Sequence, residues 1–269
     1  ILEPSADLRE RQRERLGRSL IPPVFELVEW LDGPPEEKWN GVLFANEVID
    51  ALPTPRFTLR EGEVFEEHVA LDGEGRFVRM ERPADALLAA SVRHVERYLE
   101  SPFVDGYRSE LLPQLPYWLQ AVMGGLQAGA MLFVDYGYPR REYYLPDRDG
   151  GTLRAFYRHR VHNDAYLWPG LQDLTASVDF TALAEAGTQA GFELEGYCTQ
   201  AGFLLGNGLQ DRLVEAEQRA DETLLLRLRN EARQLTSPTG MGERFQVMGF
   251  SRDVEFAAAF LSDDLTWRL

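Results

Sequence analysis

Four short apolar runs of this chain end in side chains that accept hydrogen bonds or protons. Ile1-Leu2 leads into Glu3, Val24–Leu31 into Asp32, Gly41–Ala45 into Asn46-Glu47, and Ala130–Val134 into Asp135-Tyr136. If the runs are neighbouring strands of an open sheet, these groups meet beyond the carboxyl ends, where such sheets bind ligands. A carboxylate after the second strand of a nucleotide-binding unit takes both ribose hydroxyls, the role expected of Glu3, with Ser5 beside it. Asp32, after the next strand, can accept from an adenine amino group, and Asn46 joins the same set. Glu47 and Asp50 are spaced by three, so on a helical turn they would share a face and act as a carboxylate pair. A single acid after a strand is ordinarily a turn or cap; the series of tips carries the reading.

Composition narrows the alternatives. The chain has 269 residues, 44% hydrophobic and 27% charged, which suits a globular protein with one large or two small domains. Its formal net charge of -16 disfavours a general nucleic-acid binder, which needs a cationic footprint. No apolar run approaches the ~18 residues of a membrane span. Cys198 is the only cysteine, so there is no internal disulfide, and a cytoplasmic location is expected. Cys198 itself reads as core packing. Lys38 is the only lysine and sits in a Pro/Glu-rich loop; no P-loop ends in Gly-Lys-Ser/Thr, and no Gly-x-Ser-x-Gly elbow occurs. His159 and His162 are spaced i, i+3, but no other metal-binding pattern accompanies them, so no metal is expected.

The elements that must position these groups read as α/β. Ser5 caps a helix whose Arg/Glu-rich residues 9–18 form a solvated face. Val24–Trp30 reads as a strand, and Gly41–Ala45 as a strand buried on both faces. Phe57–Met80, broken by Glu61-Gly62 and Asp72–Gly75, reads as an inserted antiparallel meander. Residues 84–99 and 109–127 read as helices, and Ala130–Val134 as a buried strand closed by a turn at Gly137. Asp179 caps a helix ending at Gly191; a strand follows to Thr199, then one long helix over 208–235 and a last strand from Phe245. The sheet is expected to be mostly parallel. This divides the chain into a core of 1–55 and 128–252, an insertion of 56–127, an aromatic- and Arg-rich segment of 138–178 on the substrate side, and a tail of 253–269. The opening Ile1-Leu2-Glu3 reads as the end of a strand, so the chain is expected to start mid-fold.

Several segments together resemble the MidA family of class I S-adenosylmethionine-dependent methyltransferases. They are Ile1–Ser5, Asn46-Glu47-Val48-Ile49-Asp50-Ala51-Leu52-Pro53, Asp135-Tyr136-Gly137, Gly151–Arg154, Asp173-Leu174-Thr175-Ala176-Ser177-Val178-Asp179-Phe180 and Met241-Gly242-Glu243. The resemblance runs over nearly the whole chain. It implies a Rossmann-like methyltransferase sheet, S-adenosylmethionine as cofactor and a protein substrate. The mitochondrial member is a complex I assembly factor that methylates an arginine of a complex I subunit, so the expected partner is a respiratory-complex subunit; a homodimer is a further expectation. The family's first strand and Gly-rich loop lie upstream of the segment matching Ile1-Leu2-Glu3 and are not in this sequence. The chain alone is therefore expected to keep the ribose and adenine side of the site and to bind the cofactor weakly.

Arginine methylation sets a chemical demand. A guanidinium stays protonated in water, so carboxylates must hold it and accept its proton as the new bond forms. Glu47, Asp50 and Glu110 are the candidates, with Asp135, Tyr136 and His159 on the substrate side. Asp173, Thr175 and Asp179 read as a turn-and-cap system. Two rivals are an NAD(P)-dependent oxidoreductase, which shares the ribose-binding acid, and a non-catalytic assembly protein docking through 138–178.

Overall fold

The computed structural model describes residues 1–158, 160–219 and 221–269. Helix α1 (Ala6–Ser19) starts where Ser5 predicts: its hydroxyl accepts from Leu8 N at 3.3 Å. Pro22-Pro23 then open a helical turn, α2 (Pro22–Phe25), and this overturns the strand expected over Val24–Trp30. Proline presets a helical φ and offers no donor to a ladder. The strand pairing that remains is one parallel bridge, Leu2 to Leu31. It still sets Glu3 and Asp32 on adjacent tips. Neither helix buries a residue, and the hydrogen bonds described for residues 1–36 all close within that stretch.

Strand β1 (Trp39–Asn46) enters the main sheet. The expected meander follows as β2 (Arg56–Arg60), β3 (Glu63–Leu71) and β4 (Phe77–Pro83). Its first hairpin turns on Glu61-Gly62, both at positive φ (50° and 82°), which favours the two-residue turn between twisted strands. Helix α3 (Ala86–Glu96) is capped by Asp85. The helix expected over 109–127 is shorter. It is preceded by β5 (Arg108–Glu110), which joins the meander beside β2, and α4 covers only Leu115–Met123. Pro113 and Pro116 keep the helix from starting earlier.

The centre of the molecule is β6 (Leu126–Tyr138). After it come α5 (Arg140–Tyr143), a small sheet of β7 (Arg154–Tyr157), β8 (Arg160–His162) and β9 (Asp173–Thr175), and β10 (Val178–Asp179). The 138–178 segment thus has regular structure of its own. Asp179 caps α6 (Phe180–Gln189) as expected, and β11 (Glu193–Thr199) follows. The long helix of 208–235 is instead α8 (Leu209–Glu217) and α9 (Glu222–Thr236), after α7 (Gln200–Gly206); Asp221 caps α9. Strand β12 (Phe245–Arg252) closes the sheet.

The sheet order is β1-β6-β12-β11, with β10 beside the far end of β6. The sheet is mixed, not mostly parallel: β1 and β10 run parallel to β6, while β12 is antiparallel to both its neighbours. Gly137 lies within β6 and makes no turn. A Cβ there would strike the backbone of Val178, so glycine is what lets β10 approach. One sheet face packs Met131, Phe133, Met248 and Phe250 with residues of α4 and α6. Burial of such side chains contributes about 1.5–3 kcal/mol each. A second core, around Phe57, Val92, Tyr107 and Tyr143, joins the meander to α3 and α5. β1 is an edge strand, and only one of its faces is covered. Val42 and Phe44 are 72% and 64% exposed, so the expectation of burial on both faces fails. Among the described residues no helix is long and apolar enough to cross a membrane.

Candidate active site

Strand β6 carries Asp135 into the interior, where the side chain is 1% exposed. Its carboxylate accepts from the amides of Ile49 (3.1 Å) and Asp50 (3.2 Å) on one oxygen and of Tyr136 (2.9 Å) on the other. The first two bonds tie the turn after β1 to the tip of β6. This turn is not a helix. Glu47 takes a left-handed conformation (φ 51°) and its amide donates to Val134 O at 2.9 Å. The kink separates two side chains expected to share a face: Glu47 is exposed, whereas Asp50 is buried next to Asp135.

Two carboxyls so placed cannot both ionise cheaply. Burial, then the Asp50 charge, pushes Asp135 up to about 7 despite its three amide donors. Burial raises Asp50 as well, opposed by the nearby Tyr136 hydroxyl. Tyr136 is raised for the same reason; its hydroxyl lies near both Thr175 and Asp50. Yet Asp50 Oδ1, Tyr136 Oη and Thr175 Oγ1 are all buried and complete no hydrogen bond. The three groups lie beside one another and keep donor and acceptor capacity that a polar guest can use. The backbone joins Thr175 to this cluster, since Ala176 N donates to Asp50 O at 3.0 Å.

Asp50 also lines a cleft of about 1130 Å³. The meander supplies its wall through Glu67 and Arg79, β5 through Arg108, and the loops 150–154 and 163–176 close it. Sequence reasoning missed this wall. Nothing in the spacing of the meander residues distinguishes Glu67 or Arg79 from a solvated face. Thr175 had a signal, the Asp173–Phe180 run, but was read with Asp173 and Asp179 as a turn-and-cap system; Asp179 does cap α6, whereas Asp173 and Thr175 lie in β9, paired with β7.

Glu110, expected on a helix face near the substrate, is elsewhere. It ends β5, is 0% exposed, and one carboxylate oxygen accepts from Tyr143 Oη (3.0 Å), Thr152 N (2.5 Å) and Thr152 Oγ1 (2.6 Å). Gly151, at φ 76°, passes so close over the other oxygen that any side chain there would collide with it. Thr152 Oγ1 in turn accepts from Ser177 N at 2.9 Å. Glu110 thus fastens the 150–152 loop, and through it the segment leading from Thr175.

The nucleoside-side candidates occupy the 1–36 stretch. Glu3 accepts from Ser5 N (2.9 Å) and Gln12 Nε2 (3.3 Å); Ser5 Oγ is committed to its cap. Asp32 pairs with Arg9 at 2.7 Å but is 93% exposed, with one oxygen outside that bond. Asn46 is exposed on the tip of β1 and donates to Glu47 at 3.3 Å. Asp50, Asp135 and Tyr136 are therefore brought together, Glu3, Ser5 and Asp32 form a second group, and Asn46 with Glu47 stands at the β1 tip. None of these last five lines the cleft. His159 lies outside the described residues. Cys198 is buried, and burial pushes its thiol up to about 12, an inert core side chain.

Residues 1–198 match the profile of a family described as "Putative S-adenosyl-L-methionine-dependent methyltransferase". The chain is similar to "Protein arginine methyltransferase NDUFAF7, mitochondrial" of Danio rerio, with 32% identity over 219 residues, covering 77% of this chain and 46% of that protein. The Drosophila melanogaster homologue is 29% identical over 220 residues, again covering 77% and 46%. The chain spans about half the length of the curated relatives it matches. A crystal structure from Burkholderia thailandensis aligns over 100% of this chain and 70% of its own, with TM-score 0.90 and 39% identity. A second from the same organism, bound to S-adenosyl-homocysteine, gives TM-score 0.88 and 39% identity over 100% and 68%. With three quarters of its length inside the profile and a solved neighbour across all of it, the chain belongs to this family of S-adenosylmethionine-dependent methyltransferases.

Proposed function

We propose that the protein transfers the methyl group of S-adenosylmethionine to an arginine side chain of a protein substrate. The observation that carries this is the buried Asp50–Asp135 pair, with three unsatisfied polar atoms beside a peptide-sized cleft. The residues present fit the nucleoside end of the cofactor: Glu3 and Asp32 stand on adjacent tips, a carboxylate pair suited to ribose hydroxyls and an adenine amino group. The cofactor supplies a methyl group already activated on sulfonium, so the protein's work is to place and deprotonate the acceptor.

Asp50 orients the guanidinium through a charge-assisted hydrogen bond, and Tyr136 and Thr175 complete its shell. Burial and mutual repulsion keep the two carboxyls from both ionising readily, so the pair retains a proton to higher pH than a lone carboxyl. As a guanidinium nitrogen gains its methyl group it gives up a proton, and the ionised carboxyl of the pair receives it. Asp135 positions this turn through the Ile49 and Asp50 amides. Incubating the full-length protein with labelled S-adenosylmethionine and cell lysate tests the reading: label on arginine that vanishes with Asp50→Asn supports it, and label on another residue type refutes it. The resemblance extends the proposal to a respiratory-complex subunit as target, to be identified in the same experiment.

A further inference from the structure

Above the buried pair the cleft is rich in arginine. The chain as a whole has 44 acidic against 28 basic residues. Its cleft, however, is lined by Arg56, Arg79, Arg108, Arg148 and Arg154. The first three converge on a single anion: Glu67, 5% exposed at its side chain, receives Arg56 at 3.1 Å, Arg79 at 3.1 Å and Arg108 at 2.8 Å. Arg56 and Arg79 have second, longer acidic contacts, to Glu110 at 3.5 Å and Glu81 at 3.6 Å. Arg148 and Arg154 have no carboxylate within ion-pair distance among the described residues. Arg148 stacks on Tyr138 at 4.0 Å, and one of its terminal nitrogens is buried with no acceptor. Arg154 donates only to its neighbour's carbonyl, Leu153 O. Asp50, Glu67, Asp147 and Asp164 also line the cleft, four acids to five arginines; Asp147 and Asp164 are exposed and pair with none of the arginines, and Arg148, half-buried, and Arg154, exposed, are the two arginines left without an acid.

A guanidinium nitrogen is a poor thing to bury without an acceptor, and a planar fork of donors is matched best by a carboxylate. Exposed Val69 and Phe77 stand among these arginines on the meander wall and offer apolar contact to an extended chain. We infer that the cleft takes an acidic peptide segment, in which aspartate or glutamate residues flank the arginine that enters the Asp50 pocket. This rests on the arginine reading above and specifies its substrate. The arrangement is a charge relay across space: anionic at depth for the guanidinium, cationic around it for the flanking carboxylates. The chain's net charge of -16 repels a long polyphosphate chain more than a short acidic segment that reaches the arginines directly.

The test uses the full-length protein and fluorescence anisotropy of labelled peptides. One peptide has an arginine among Asp and Glu, a second has the same arginine among Asn and Gln, and a third keeps the acidic flanks but replaces the arginine by Gln. The acidic peptide should bind about tenfold tighter than the neutral one at low salt, with the gap closing as ionic strength rises. Arg148→Gln and Arg154→Gln should each narrow that preference ~3–5-fold. Equal binding of acidic and neutral peptides overturns the inference, even if both are methylated on arginine, which would leave the arginine reading standing. Tight binding of both acidic peptides without methyl transfer to arginine sustains the cationic rim and refutes the arginine reading instead. Tighter binding of a single-stranded oligonucleotide of equal charge also overturns it.

Discussion

Glu110 and Asp135 are buried to the same degree, and the chain treats them in opposite ways. Glu110 has donors from Tyr143 and Thr152 on one oxygen and, although the other completes no hydrogen bond, the Arg56 guanidinium stands 3.5 Å from it, so the protein supplies its own counter-charge. Asp135 receives three amides but faces a second carboxyl, and the polar atoms around Asp50 are left without partners. The first arrangement stores rigidity. The second stores an unmet demand for a cation. Burial of an acid therefore says little about its role; what distinguishes the two is whether the protein has already supplied the counter-group.

Four experiments can break or sharpen this contrast. The largest effect is expected for Asp50→Asn, which should lower kcat/KM by about 10²–10⁴-fold while leaving the unfolding midpoint nearly unchanged. Loss of folding with loss of activity would put Asp50 in Glu110's class. Next is a pH effect. An Asp135 carboxyl ionises ordinarily near 3.8 and in the folded chain near 7. Below both values each state holds the proton. As pH rises between them only the unfolded chain releases it, so stability falls, by about 4 kcal/mol across the window, and is flat above it. Urea titrations across pH 4–8 should show this decline in the native protein and a flatter profile in Asp135→Asn; equal slopes would contradict the shifted carboxyl. Methyl transfer should rise near pH 7, where the folded chain itself loses the proton.

Third, Glu110→Ala leaves the Tyr143 hydroxyl and both Thr152 groups without their acceptor. It should cost about 3 kcal/mol of stability in denaturant unfolding. An unchanged midpoint with lost methylation would move Glu110 into the chemistry. The smallest effect is expected for Tyr136→Phe. Its hydroxyl lies beside Asp50 and Thr175 without completing a hydrogen bond to either, so the variant should nearly keep its stability while losing about tenfold in kcat/KM. A loss of stability beyond 1 kcal/mol would mean the hydroxyl is already satisfied.

Where a local rule governs, sequence reading and structure agree. Ser5 and Asp179 cap the helices they precede, and Glu61-Gly62 turns the first hairpin. Asp135 and Tyr136 were legible because they follow a buried apolar run, although β6 continues through them to Tyr138, and Asp50 was legible from its run with Glu47. The rest depends on distance. Whether Asp50 or Glu47 turns inward is decided by amides bound to a residue 85 positions away. Glu110 changes from a helix face to a lock because Thr152, 42 residues on, comes to meet it. The arginine wall arises from three segments that share no motif. The β1 run looked doubly buried because its residues are uniformly apolar, and composition cannot tell which face another element will cover.

That open strand has a practical result in solution. An unpaired row of backbone donors and acceptors, bearing Val42 and Phe44, is a template on which a second extended chain can add. The isolated 269-residue chain should self-associate with rising concentration, through edge-to-edge contact at β1, and a charged substitution at Val42 should keep it monomeric.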